Sequence, residues 1–144
     1  MADDFDIQTF LPYLLNRAAE TAGQAFQQHY KARYGMLRTE WRVLFHLGRY
    51  GALTATDIGT RAGIHKTKIS RAVAALAAKR YLVRVTRDSD RRQEELRLTP
   101  AGKAVFDDLC KAAAAFDAKL AARFSPEDTA TLRRCLSVIA APVE

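Results

Sequence analysis

Long apolar runs are missing from this sequence: no stretch of roughly 18 uncharged apolar residues occurs, so a membrane-spanning helix is not expected. Cysteine is scarce. Cys110 and Cys135 form neither a CxxC pair nor a ligand spacing, which argues against a disulfide framework or a zinc site. Both fall beside helical apolar stripes and are expected as small core residues. His29, His46 and His65 share no metal-binding spacing. Neither a nucleophile–base pairing nor a glycine-rich phosphate loop is found, so no enzymatic activity, cofactor or metal is expected. The first six residues are acidic, without the basic-then-apolar layout of a secretory signal. With so little cysteine, the reducing cytoplasm is the expected compartment.

What is there begins with 49% apolar residues in 144, enough for a sizeable core in one domain-sized chain. The formal net charge is +7, and its distribution says more than its sum. Residues 61–97 hold eleven Lys/Arg against four Asp/Glu, whereas the remainder holds twelve of each sign. A neutral body with one basic segment is the footprint expected of a phosphate-binding surface.

Apolar residues at Ile7, Phe10, Leu11, Leu14, Leu15, Ala18, Ala22 and Phe26 recur every three or four positions and predict a helix over 7–30, with Pro12 disturbing its first turn. Residues 33–37 read as a connection. A second helix is predicted over 39–49, with Thr39 as N-cap, Trp41, Val43, Leu44 and Leu47 on its apolar face, and Gly48 and Gly51 ending it. Thr54-Ala-Thr-Asp57 has capping-box spacing and starts a short helix. Ala62-Gly63-Ile64 interrupts it, and a further helix follows over 65–79 with Ile69, Val73 and Leu76 facing inward. Two short helices joined by a glycine-containing turn make a helix-turn-helix unit. The period then changes to two. Leu82-Val-Arg-Val-Thr86 and Glu95-Leu-Arg-Leu98 predict a β-hairpin with the polar turn Arg87-Asp-Ser-Asp-Arg-Arg92 at its tip. Thr99-Pro100 starts a helix predicted to reach 124, and Ser125-Pro-Glu-Asp128 starts a last one carrying Leu132, Leu136, Ile139 and Val143. The fold class is therefore mainly α with a small β-hairpin wing. The expected division is an N-terminal helical segment 1–36, a winged helix-turn-helix 37–100 and C-terminal helices 101–144.

This order of elements, with Trp41-Arg-Val-Leu44, Lys66-Thr-Lys-Ile-Ser-Arg71, Asp88-Ser-Asp-Arg-Arg92 and Leu98-Thr-Pro-Ala-Gly102, resembles the MarR family of bacterial transcription regulators. The resemblance implies a homodimer whose first and last helices interlock. It also implies double-stranded DNA as partner, a palindromic operator held by helix and wing, and often control by a small-molecule effector.

The residue chemistry is compatible with that. His65, Lys66, Thr67, Lys68, Ser70 and Arg71 lie on the presumed recognition helix, where Arg or Lys can donate to guanine O6 and N7 in the major groove. Arg87, Arg91 and Arg92 cluster at the wing tip, suited to the negative potential of a narrow minor groove. By position Arg92 matches the family's wing arginine. Asp90 matches the acidic residue that accompanies it, and also suits a turn. Arg84 and Arg97 either reach phosphates or face solvent. Arg17 sits on an otherwise apolar or small-residue helix; it either ion-pairs at a dimer surface or, with Tyr13, Trp41 and His46, forms a pocket for an aromatic acid. The functional reading is thus a homodimeric DNA-binding regulator, more a repressor than an activator, released by a small carboxylate. Its rivals are a winged-helix DNA binder without ligand control and a winged-helix protein-interaction module.

Overall fold

The structure is a computed structural model describing residues 4–87 and 90–141, together with their side chains except those of 87 and 90–93. The helix predicted from residue 7 is divided. Ile7–Thr9 forms a 3₁₀ turn capped by the Asp6 carboxylate, which accepts from the Gln8 N–H at 2.9 Å. The regular helix α1 then runs Leu11–Tyr34, with Pro12 in its first turn where a missing N–H costs nothing. It outlasts the prediction by one turn because Gly35, at φ +63°, supplies the left-handed C-cap.

Helix α2 spans Arg38–Tyr50, strand β1 Leu53–Thr54, α3 Ala55–Ala62 and α4 Lys66–Ala78. Thr39 is not the N-cap of α2, as its position suggested. Leu37 is, and the Glu40 carboxylate accepts from its N–H at 3.1 Å. Strand β2 (Leu82–Arg87) and strand β3 (Asp90–Leu98) form the hairpin, and the sheet order is β1-β3-β2. The ladder runs from Leu82↔Leu98 to Arg87↔Asp90, farther than the alternating pattern indicated, with an irregularity between Thr86 and Arg87. Helices α5 (Pro100–Ala121) and α6 (Pro126–Ala140) complete the chain.

Two compact units divide the chain, Met1–Leu109 and Cys110–Glu144. The first carries the core. Met36, Val43, Leu44, Leu47, Ile58, Ile69, Val73, Leu76, Leu82, Leu96, Val105 and Leu109 are buried together, so the first three turns of α5 belong with the helix-turn-helix and its sheet. Each such aliphatic side chain contributes roughly 1.5–3 kcal/mol by leaving water. The entry to α5 is held tightly. Thr99 receives the Gly102 N–H on its hydroxyl at 3.0 Å and donates that hydroxyl to the Arg80 carbonyl at 2.6 Å. A Cβ on Gly102 would lie 1.9 Å from the Tyr81 carbonyl oxygen, so only glycine allows this approach.

In the second unit Ser125 caps α6 by accepting from the Asp128 N–H at 3.0 Å, as its sequence announces. None of the described residues of α6 is buried. Cys135 is exposed there and Cys110 is half-buried, so Cys135 is not the core residue its stripe suggested; the apolar stripe of α6 stays open to solvent in the single chain.

Candidate nucleic-acid interface

The helix-turn-helix is built by local rules. Thr54 Oγ1 accepts from the Asp57 N–H and Asp57 Oδ2 from the Thr54 N–H, both at 3.1 Å, which closes the capping box of α3. Gly63, at φ +65°, ends that helix. Two residues later His65 caps α4, its Nδ1 accepting from the Thr67 N–H at 3.2 Å. His65 was expected as a DNA-contacting residue. It is exposed, and it also fixes where the helix begins.

Along α4, Ile69, Ala72, Val73 and Leu76 are buried, while Lys66, Thr67, Lys68, Ser70 and Arg71 are exposed. At about 100° per residue, Thr67, Ser70 and Arg71 centre the outer face and Lys66 and Lys68 flank it. All six recognition-helix candidates are thus brought to one exposed surface. Strands β2 and β3 of the wing are paired up to Arg87↔Asp90, but the side chains of Arg87, Asp90, Arg91 and Arg92 lie outside the described residues. Lower on the hairpin, Arg84 pairs with Glu94 at 3.5 Å and Arg97 with Glu95 at 3.3 Å, all but Glu95 exposed. Pairs of this kind hold little energy and leave both arginines available to other anions.

A buried carboxylate that sequence reasoning passed over sets the position of α4. Glu40 is 4% exposed. Its Oε1 accepts from Lys79 Nζ at 3.0 Å, and Lys79 Nζ also donates to the Gly35 carbonyl at 2.9 Å. The residue just past α4 is thereby bound to the α1–α2 junction. At the end of α1, Tyr34 donates its hydroxyl to Asp108, which also pairs with Arg33 at 3.1 Å. That hydrogen bond, and burial, push the Tyr34 phenol up to about 12.

The four residues expected to form an effector pocket do not all touch. Trp41 lies in an aromatic cluster with Phe26, Tyr30 and Phe45. His46 is one step further, its ring 5.8 Å from Phe45 and its Nδ1 2.6 Å from the Arg42 carbonyl. Tyr13 is half-buried and Arg17 exposed on the first half of α1. Among the described residues no group of three His, Cys, Asp or Glu is placed to hold a metal, and no helix is long and apolar enough to cross a membrane.

Residues 34–93 match the model of the MarR family. No curated protein matches the chain. Among solved structures, a MarR family transcriptional regulator from Silicibacter pomeroyi is 28% identical, with 94% of this chain and 99% of that one covered at a TM-score of 0.79. BpsR of Bordetella bronchiseptica, whose DNA binding is regulated by 6-hydroxynicotinic acid, superposes at a TM-score of 0.88 with 20% identity over 96% of this chain and 99% of that one. PcaV of Streptomyces coelicolor, solved in complex with its natural ligand, gives 0.80 and 22% over 94% and 95%.

Proposed function

We propose, from the family match of its central segment and from its fold, that the chain is a regulator of the MarR family, a homodimeric, sequence-specific DNA-binding repressor whose hold on its operator is relieved by a small aromatic carboxylate. The observation that carries DNA binding is the recognition helix. Its inner face is sealed by Ile69, Val73 and Leu76, and its outer face offers only Lys66, Thr67, Lys68, Ser70, Arg71 and small alanines. A two-fold dimer sets two such helices into successive major-groove faces about 34–36 Å apart. Arg87, Arg91 and Arg92 then reach the flanking minor grooves, with Asp90 orienting Arg92. Repression follows from occupancy, since a protein covering the operator excludes polymerase.

The dimer is supported by apolar surface with no cover. Leu11 and Leu14 on α1, and Leu132, Leu136, Val138 and Ile139 on α6, are between 41% and 68% exposed in the single chain. The effector rests on Arg17, a cation on a helix of apolar and small neighbours, with Tyr13, Trp41 and His46 as candidate walls. The regulation of BpsR by an aromatic acid supports that class of ligand. An effector acts by preferring a dimer whose recognition helices are wrongly spaced for DNA.

Selection of duplexes from a random library tests the proposal. Enrichment of a palindrome with half-sites about 10–10.5 base pairs apart is expected, abolished in the Lys66→Ala/Arg71→Ala protein. Failure to enrich any sequence would remove the operator reading. Aromatic carboxylates, 6-hydroxynicotinate among them, should raise the melting temperature of the protein and release the duplex, and Arg17→Ala should abolish release while leaving duplex binding intact.

A further inference from the structure

Outside the recognition helix and the wing, α2 carries a basic stripe. Arg38, Arg42 and Arg49 stand at i, i+4 and i+11, which places them on one line of the helix. Buried Glu40, Val43, Leu44 and Leu47 occupy the other side. Glu40 is the helix's one carboxylate, and it is turned inward to Lys79. Phe45, half-buried against Trp41 and Phe106, sits on the same line between Arg42 and Arg49, and no carboxylate of α2 lies there, a fact hidden when charges are simply counted along the chain.

The stripe is tied to the helix-turn-helix. Arg42 donates to the Ala62 carbonyl at 2.6 Å, in the last turn of α3 and three residues before His65. Arg61, in that same turn, lies with its guanidinium 4.4 Å from the centre of the Tyr50 ring, and Arg49 lies 5.4 Å from the same ring. Among the described residues none of Arg38, Arg42, Arg49 and Arg61 is in an ion pair. Helix α3's carbonyl end accounts for one guanidinium, that of Arg42. It does not account for Arg38 beside it, which adds repulsion to a half-buried cation already disfavoured by burial. An anion shared between them reverses that repulsion.

We propose that Arg38, Arg42, Arg49 and Arg61 form a second phosphate-binding surface, which takes the DNA backbone next to the turn that delivers the recognition helix. This rests on the DNA-binding reading above and adds to it a hold on the backbone from α2. From Arg38 to Arg49 the stripe measures about 16 Å along the helix axis, enough for several consecutive phosphates at roughly 3.4 Å of rise per strand. Guanidiniums suit such a run, since each can meet phosphate oxygens through a planar fork of donors. The surface carries no sequence information; it fixes the register of the helix-turn-helix on the duplex.

The test uses the full chain and a labelled 30-base-pair duplex of arbitrary sequence, titrated across a salt series. Arg38→Ala/Arg49→Ala removes two exposed side chains without touching the Arg42–Ala62 bond, so melting should be unchanged. The slope of log affinity against log salt should fall by about 0.9 for each phosphate that the variant no longer neutralises, which is about eightfold weaker binding per phosphate at 0.1 M relative to 1 M salt. Arg38→Lys/Arg49→Lys should retain most of the slope. Lys66→Ala/Arg71→Ala is run beside them. If that variant binds less well while Arg38→Ala/Arg49→Ala keeps the wild-type slope, the α2 surface is refuted and DNA binding stands. If the wild-type protein binds no duplex, both fall. If Arg38→Ala/Arg49→Ala keeps the slope but loses the thermal shift given by 6-hydroxynicotinate, the stripe serves a small acid and the phosphate assignment is overturned.

Discussion

At the scale of single residues, His65 caps α4, and on the proposed DNA-binding reading the same side chain would also contact the duplex. Its Nδ1 accepts from the Thr67 N–H, so Nε2 is left to donate outward from the start of the recognition helix. Truncation removes both. His65→Ala should lower stability by about 0.5–1 kcal/mol, the ordinary worth of an N-cap, and should also weaken duplex binding. Asparagine is a better cap than histidine but too short to replace the outward donor. His65→Asn should therefore restore the urea midpoint to at least the wild-type value and leave duplex binding weakened. Recovery of both properties in the Asn variant would mean that His65 acts on DNA only by starting the helix. The proposed outward role rests on its sequence context. The cap was harder to see, because histidine seldom advertises itself at that position as serine or aspartate does. Gly102 was similarly half legible: its place after Leu98-Thr-Pro marks a helix start, but the Tyr81 carbonyl that forbids a side chain is a tertiary neighbour.

At the scale of elements, local signals carried the reading well wherever a side chain bonds its own backbone. Thr54 with Asp57, and Ser125 with Asp128, open α3 and α6 where their spacing indicates. Thr39 misled because the device at the head of α2 is Glu40 reaching back to Leu37, which has no capping side chain to announce it. Strand β1 escaped because two residues show no period; it exists only by pairing Leu53 with Leu96 and Thr54 with Glu95. The bond that fastens α4 was equally invisible, since Glu40 and Lys79 are 39 residues apart. It predicts an asymmetric response to mutation. Lys79→Met leaves a buried carboxylate without its cation and should cost several kcal/mol, toward the lower end of the roughly 3–5 typical of a broken buried pair because Lys79 is itself partly exposed. Glu40→Gln keeps an acceptor for the Leu37 N–H and should cost less. The double substitution should be milder than the sum of the two, as measured by urea unfolding. Additive losses would show that the two groups act separately, and that α4 is positioned by its apolar face alone.

At the scale of the whole molecule, the chain by itself leaves its last helix without a reason to persist. Isolated helices of fewer than about 12–15 residues are marginal in water, and α6, at 15 residues, stands at that limit with no described residue buried. Its four exposed large aliphatics lie at positions 132, 136, 138 and 139. Such a face in water also invites aggregation. A second copy of the chain, covering it with the equally bare Leu11 and Leu14 of α1 among its resources, removes both difficulties. On the proposed dimer, folding and association become one equilibrium, and apparent stability then depends on protein concentration. The thermal midpoint should therefore rise as the protein is concentrated through the micromolar range, and light scattering should give twice the 16.1 kDa of one chain. Leu136→Glu/Ile139→Glu places two charges in the same face. It should yield a monomer whose helical signal is reduced by an amount on the order of α6 itself but which keeps the core of the first unit, because Leu44, Ile58, Leu76 and Leu109 all belong to that unit. That monomer carries one recognition helix instead of two. It should bind a palindromic duplex with a smaller salt slope, since only one protomer then neutralises phosphates. A concentration-independent midpoint together with a 16.1 kDa mass for the unmodified protein would contradict the coupling, and two-fold recognition of DNA would go with it.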